Sequence, residues 1–402
     1  MTGISIYIHI PFCLHKCPYC DFNTYALATF PEREYTAAIL SELDYRATLA
    51  EWRGREVQTI YFGGGTPSIF EARSIARILQ SISRLFPVSN RAEISLEANP
   101  GTIDTELLGE LREAGINRLS IGAQSFSREL LKVLGRMHSP EQIEAAVLSA
   151  RTVGFSNVSL DLIYGVPGQS PEQWEAELGA AALLKVDHIS AYGLTIEKGT
   201  PFYQSYRRGL LRLPPEDAVV SMMELANSTL PELGYKHYEI SNFAREGFEA
   251  RHNLAYWNGA DYLGIGAGAH SFVRCEPPFG DNHGMRWSNF ALPNKYIKEV
   301  SSHGQAEGWR DTLSKSDAIF EFFFLGLRRI EGVKDSEFKA KFNLEIKQSY
   351  PFIIDMLMEQ GLVEFESGNL RLSDKGILLA DSVIEHFVTE PSAELPQAVN
   401  TD

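Results

Sequence analysis

The residues best suited to chemistry lie near the start of the chain. The segment CLHKCPYCDF, Cys13 to Phe22, holds three of the four cysteines in 402 residues. Cys13, Cys17 and Cys20 follow the spacing Cys-x3-Cys-x2-Cys, so three thiolates on one short loop can serve a single metal centre. A structural zinc wants four ligands, and the nearest addition, His15, stands only two residues from both Cys13 and Cys17, a cramped arrangement. A cubane iron–sulfur cluster has four irons, each needing a terminal ligand. Three cysteines leave one iron open to a substrate or cofactor, so the missing fourth thiol becomes the informative feature. A cluster is the expectation; zinc or three incidental thiols are the alternatives. Cys275, far off in the sequence, reads as an ordinary thiol.

A second group of residues could cradle a ligand. YFGGGTPS carries Gly63, Gly64 and Gly65 followed by Thr66, and residues without Cβ let backbone groups approach a ligand closely. Glu97 in LEANP, Gln124 in GAQSF, Arg136 in GRMHS and Asp161 in LDLIYGVPG form a polar set further along. Each of these, taken alone, reads equally as a cap or strand-end group.

Such residues meet only if the chain returns repeatedly to one place, and its rhythm allows that. β-Branched runs at Ile4–Ile10, Val57–Gly63, Ala92–Ala98, Asn117–Ala123, Asn157–Ile163 and Asp187–Gly193 alternate with amphipathic segments. The latter are Glu32–Glu51, Glu71–Leu85, Asp104–Ala114, Pro140–Val153 and Pro171–Leu184. This alternation predicts an α/β fold of parallel strands with right-handed crossovers. Ligand sites in such folds gather at the carboxyl ends of strands, which is where Glu97, Gln124 and Asp161 fall. A partial β/α barrel of six units is expected, with an open sheet as the alternative.

From Asp217 the rhythm changes. A helix to Leu233 precedes KHYEISNFAREGFEARHNLAYWNGADYLGIGAGAHSF, rich in aromatics, Gly and His and expected to be irregular. After Leu313, helices are expected at Ser316–Ile330, Asp335–Phe342 and Gln348–Gln360. A hairpin turning at Ser367-Gly368-Asn369 and a helix from Lys375 to Val388 follow. These make a small winged-helix-like α+β unit. The expected division is a barrel over 1–215, an extension over 216–312, the C-terminal unit over 313–388 and a disordered tail over 389–402.

The net charge of −15 speaks against a nucleic-acid partner held by phosphate neutralisation. No run reaches the roughly 20 apolar residues of a membrane helix. The greasiest, IFEFFFLGL, contains Glu321 and reads as a buried helix. MTGISIYIHI lacks a basic n-region and a cleavage site, so no export signal is expected. Crowded thiols without a disulfide framework suit a reducing cytosol.

The motif Cys-x3-Cys-x2-Cys, with Tyr19 before its last cysteine and just after the first strand, resembles the radical S-adenosylmethionine superfamily. That resemblance implies a 4Fe-4S cluster on Cys13, Cys17 and Cys20, with the open iron taking the amino and carboxylate groups of S-adenosylmethionine. IYIHIPFC, FGGGTPS, GAQSF and DLIYGVPGQ are similar to phrases of the oxygen-independent coproporphyrinogen III dehydrogenases and their relatives. This branch implies that Tyr7, Gly64 and Glu97 serve the S-adenosylmethionine on the cluster. Tyr19, Gly65, Thr66, Gln124, Arg136 and Asp161 would line a second S-adenosylmethionine position.

Two departures set the chain apart from the dehydrogenases. Phe22 stands where they carry a further cysteine, and only twelve residues precede Cys13. Both match the HemW-type haem chaperones. HNLAYW, His252 to Trp257, matches the His-Asn-x-x-Tyr-Trp motif associated with haem binding in that group. The resemblance implies haem bound by His252, Asn253, Tyr256 and Trp257, and neutral imidazole is a standard axial ligand. A structural histidine is the alternative. His237 and His270 are weaker candidates for a second ligand, and His9 and His15 lie beside the cluster. The expected function is haem delivery to acceptor haemoproteins, respiratory ones among them, with cluster and S-adenosylmethionine controlling dimerisation or handover. The expected location is the cytoplasm, with transient visits to the membrane. The competing function is radical oxidation of a porphyrinogen.

Overall fold

The computed structural model describes residues 3–279 and 281–388; the expected tail lies outside them. Six parallel strands carry the barrel: β1 (Ile4–Ile10), β2 (Val57–Gly64), β3 (Val88–Ala98), β4 (Arg118–Gln124), β5 (Val158–Tyr164) and β6 (His188–Gly193). Between them run α1 (Glu32–Thr48), α2 (Ala72–Leu85), α3 (Thr105–Ala114), α4 (Arg128–Val133), α5 (Pro140–Thr152) and α6 (Pro171–Leu183). Local chemistry sets the helix starts. Asp104 accepts from Leu107 N before α3, while Ser139/Gln142 and Ser170/Gln173 form capping boxes around Pro140 and Pro171.

The strands are two-faced, as a period of two requires. Ile4, Ile6, Ile8 and Ile10 of β1, with Ile60 and Phe62 of β2, are buried in the apolar core. The opposite faces carry Ser5, Tyr7 and His9, then Thr59 and Tyr61, Glu93 and Glu97, Ser120, Asp161 and Ser190. Cross-strand register aligns Ser5 with Thr59, Tyr7 with Tyr61, and Asp161 with Ser190. The lumen of the barrel is therefore polar.

The sheet continues past the barrel at both ends, which the sequence reading missed. After α7 (Pro201–Arg207) and α8 (Glu216–Glu232), the stretch expected to be irregular forms β7 (Lys236–Glu239), β8 (Asn242–Ala244), α9 (Arg251–Trp257), β9 (Tyr262–Ile265) and β10 (His270–Phe279). With β11 (Asn282–Asn289) and β12 (Glu307–Leu313), the twelve-stranded order is β12-β11-β10-β9-β1-β2-β3-β4-β5-β6-β8-β7. β9 joins β1 in parallel and the outer strands are antiparallel. The order is open, so the barrel is partial.

The C-terminal segment builds its own apolar cluster, from Ile319 to Phe387. It consists of helices on a three-stranded sheet of Val333–Lys334, Asn369–Leu372 and Val363–Glu366, a winged-helix-like α+β arrangement. The helix expected over Gln348–Gln360 is broken into Ile346–Ser349 and Pro351–Glu359. Pro351 has no amide hydrogen to continue the first piece and instead starts the second.

Glu42 of α1 ties the extension to the barrel. Fully buried, it accepts from Gly266 N (3.1 Å), Asn289 Nδ2 (2.9 Å) and the Tyr296 hydroxyl (2.9 Å), beside Arg46 at 3.4 Å. Glu42→Ala would leave Gly266 N and the Tyr296 hydroxyl without an acceptor, while Arg46 keeps Glu307 at 3.7 Å and Asn289 keeps Gly266 O at 2.9 Å. Unfolding stability should therefore fall by about 3 kcal/mol. A loss below about 1 kcal/mol on denaturant titration would show that the network contributes little.

Candidate cofactor site

A cavity of about 680 Å³ opens at the carboxyl ends of the barrel strands, and the cysteine loop forms one wall. Cys13, Cys17, Tyr19 and Cys20 line it with Gly64, Gly65, Thr66, Glu97, Gln124, Arg136 and Asp161. The structure thus brings together the thiols and nearly all the residues expected around a nucleotide. Tyr7 is the exception. It is half-buried on the lumen face outside the lining, and its hydroxyl donates to His9 Nδ1 (3.0 Å), whose Nε2–H donates to Asn23 O (3.0 Å).

All three cysteines are free thiols. Burial pushes the Cys13 and Cys20 thiols up, so they are protonated at neutral pH until a metal centre displaces the protons. Thr66 Oγ1 donates to Cys13 Sγ (3.4 Å), and Arg136 Nη1 donates to Cys17 Sγ (3.6 Å). Among the described residues no three His, Cys, Asp or Glu side chains are arranged around one metal ion. A cubane joins each thiolate to a different iron and needs no such convergence.

The glycines let the loop lie on β2. Gly65 N donates to Ile10 O (2.8 Å) and Thr66 N to Phe12 O (2.9 Å). A Cβ on Gly65 would stand 2.5 Å from Phe12 O, and one on Gly64, at φ +112°, would enter the His9 ring. The bare backbone is thus required twice.

Opposite lie the carboxylates. Glu97 accepts from the Tyr61 hydroxyl (2.8 Å) and Gly64 N (3.1 Å). Burial raises its pKa to about 7, helped by the Asp161 charge and opposed by the two hydrogen bonds. Asp161, also raised by burial, accepts from Ser190 Oγ (2.7 Å) and Ser120 Oγ (2.9 Å). Gln124 holds φ +60°, rare for a residue with a side chain. Glu177 of α6 pins the turn behind it, accepting from Ser125 Oγ (2.5 Å) and Phe126 N (2.9 Å). Gln124 Oε1, Arg136 Nε and His138 Nδ1 are buried without a partner around this cavity. Unpaired donors and acceptors so placed fit a polar ligand, and the cradle and the orphaned groups together suit a nucleotide with an amino-acid head.

Sequence reasoning missed Tyr61, Ser120, Ser190 and Glu177. The first three could have been found from lumen-face alternation and register, whereas Glu177 acts from a helix and left no local signal.

The haem motif is divided. Asn253 lines the cavity. His252 is 1% exposed on the lumen face of β2, with Nδ1 2.8 Å from Thr59 Oγ1 and Nε2 3.1 Å from the Tyr256 hydroxyl. Tyr256 packs edge-on against Tyr262, and Trp257 lies against the Arg328 guanidinium. As placed, the His252 ring has no free nitrogen for iron. His237 bonds Ile240 O and His270 sits on β10, neither in the cavity lining.

A partial β/α barrel whose mouth carries a three-cysteine loop beside a glycine cradle defines a radical S-adenosylmethionine protein, and residues 7–179 match the radical SAM superfamily. Residues 313–379 match the HemN C-terminal domain. The chain is 37% identical over 389 residues to the heme chaperone HemW of Bacillus subtilis, covering 96% of this chain and 99% of that one. It is 37% identical over 391 residues to the heme chaperone HemW of Escherichia coli, covering 97% and 99%. In structure it resembles coproporphyrinogen III oxidase (HemN) from Escherichia coli, a radical SAM enzyme, with TM-score 0.82 and 27% identity over 96% of this chain and 90% of that one. The chain belongs to the HemW haem chaperone family.

Gly65→Ala should lift the cysteine loop off β2, because the new methyl cannot share space with the Phe12 carbonyl. Alkylation of the buried Cys13 in the folded, cofactor-free protein should speed up by at least about tenfold, reflecting local opening. An unchanged rate would show that the loop does not need the bare backbone.

Proposed function

We propose that this protein is a haem chaperone that carries a 4Fe-4S cluster with S-adenosylmethionine and hands haem to acceptor haemoproteins. The single observation carrying this reading is end-to-end likeness to heme chaperones HemW, at 37% identity over 99% of their length. Cys13, Cys17 and Cys20 would hold the cluster. Gly64 and Glu97, with Tyr7 behind them, would serve the S-adenosylmethionine at the open iron. Tyr19, Gly65, Thr66, Gln124, Arg136 and Asp161 would line a second position in the same cavity. When bound, the cluster supplies an electron to the sulfonium. The chain's own residues hold the ligand: Glu97 faces an ammonium or ribose hydroxyls, and Arg136 offers its charge to a carboxylate. The large cavity also admits the competing reading, oxidation of a porphyrinogen, but the likeness to HemN, at 27% identity, supports it less than the 37% identical HemW relatives support the chaperone reading.

We also propose a division into a barrel (1–215), an extension (216–312) and a winged-helix-like unit (313–388). The two apolar clusters support the last boundary, since one cluster runs through barrel and extension alike and the other lies within the C-terminal unit. No helix among the described residues is long and apolar enough to cross a membrane. A cytoplasmic protein that visits the membrane surface to meet respiratory acceptors, and that forms a homodimer during handover, is the fuller reading. The membrane part of this reading is supported by a cationic, apolar segment at the end of α7, the helix that meets the cysteine loop. Phe202 N of α7 donates to Pro18 O (3.0 Å), and Arg207 at the end of α7 and Arg208, Leu210 and Arg212 beyond it are exposed on a chain of net charge −15.

Reconstituted, reduced protein given coproporphyrinogen III and S-adenosylmethionine without oxygen should yield no protoporphyrinogen at a catalytic rate, yet should bind haemin and pass it to an apo-haemoprotein. Catalytic turnover would establish the oxidoreductase instead. With Glu97 titrating near 7, its charge is present above that pH and lost below it. S-Adenosylmethionine affinity should therefore rise as pH passes upward through about 7, by up to about tenfold per unit below it. A flat profile from pH 6 to 8 would show that this carboxylate does not contact the ligand.

A further inference from the structure

A histidine and a tyrosine four residues apart share one face of a helix, and in α9 they bond to each other. Thr59 donates its hydroxyl proton to Ser5 Oγ (2.8 Å), so toward His252 it accepts, and His252 Nδ1 carries the hydrogen. The remaining lone pair, on Nε2, accepts from the Tyr256 hydroxyl (3.1 Å). Iron binds imidazole through such a lone pair, and here the motif's own tyrosine covers it. Burial lowers the His252 pKa to about 3 and keeps the ring neutral.

The flat face of the ring meets Tyr61, with centroids 5.0 Å apart and planes 26° from parallel. The Tyr61 hydroxyl holds Glu97, and Glu97 holds Gly64 N. Contact therefore runs unbroken from α9 up the lumen to the glycine cradle, while Thr59 lies about 16 Å of strand below Gly64. α9 itself is fixed on both sides. Glu93 of β3 accepts from Arg251 N (3.1 Å) and His252 N (3.0 Å), and on the other side Arg329 donates to Asn258 Oδ1 (2.7 Å).

We propose that His252 is a positioning residue of the nucleotide site, holding Tyr61 and through it the Glu97 carboxylate, and that it is not the axial ligand of haem. The haem half of this inference rests on the haem chaperone reading; the nucleotide half stands on the geometry. The His-Asn-x-x-Tyr-Trp motif is then a plug for the lower lumen. His252 and Tyr256 close on one another, Asn253 faces the cavity, and Trp257 meets the C-terminal unit.

The test uses cluster-reconstituted full-length protein, with S-adenosylmethionine affinity measured by equilibrium dialysis and haemin binding by Soret titration. Tyr61→Phe keeps the ring and removes one hydrogen bond to a charged group, so S-adenosylmethionine binding should weaken about tenfold. The pH midpoint of that binding should move upward, because the lost bond had been lowering the Glu97 pKa. His252→Ala removes the support under Tyr61 and should weaken the nucleotide comparably. His252→Phe preserves the stack without any nitrogen, folds where alanine leaves a hole, and should keep haemin affinity and Soret position within about twofold of wild type. Loss or displacement of the Soret band in His252→Phe, with S-adenosylmethionine binding intact, would overturn the assignment. So would a Tyr61→Phe protein with unchanged nucleotide affinity and pH midpoint. A wild type that binds no haemin would defeat the chaperone reading, and the nucleotide measurements would still decide the role of His252.

Discussion

The close approach of two backbones, the cysteine loop and the end of β2, is the constraint on which the site depends. Hydrogen bonds from Gly65 N to Ile10 O and from Thr66 N to Phe12 O set Cys13 beside the Thr66 hydroxyl. The same contact places the glycine backbone facing Glu97. Only residues without Cβ permit it, since a methyl on Gly65 would overlap the Phe12 carbonyl. Thiols from one loop and a carboxylate from a strand far along the chain thereby share a single cavity.

Around this contact the lumen divides into two levels. The upper level, at the carboxyl ends of the strands, holds the cavity with its thiols and carboxylates. The lower level is filled by α9, capped by Glu93 and stacked through His252 on Tyr61. Buried polar side chains at both levels find partners mainly on neighbouring strands, as a low-dielectric interior demands. Among the exceptions, Gln124 Oε1, Arg136 Nε and His138 Nδ1 gather around the cavity, where a ligand can satisfy them, while Ser95 Oγ between Glu93 and Glu97 also lacks a partner.

Much of this was legible in the sequence, and the physical reason is locality. The six barrel strands and five of the helices between them carry their own boundaries in β-branched runs, Pro at first turns and Ser/Gln capping boxes. The cysteine spacing and the strand-end polar residues likewise pointed to one cavity, and the structure brings them there. What was missed depends on distant partners. β7 and β8 are three or four residues long and exist by pairing across the sheet edge. α9 has seven residues and no side-chain cap of its own; its first amides are satisfied by Glu93, 158 and 159 positions away. The surroundings of His252 were invisible for the same reason, because Thr59 and Tyr61 lie on a strand nearly two hundred residues earlier.

The most direct measurement is the iron and acid-labile sulfide content of the anaerobically prepared protein, beside Cys→Ser changes at positions 13, 17 and 20. The account predicts about four irons and four sulfides per chain, with the complement lost when any of the three thiols is replaced. Stoichiometric zinc without sulfide, or a full cluster that survives those replacements, would contradict it.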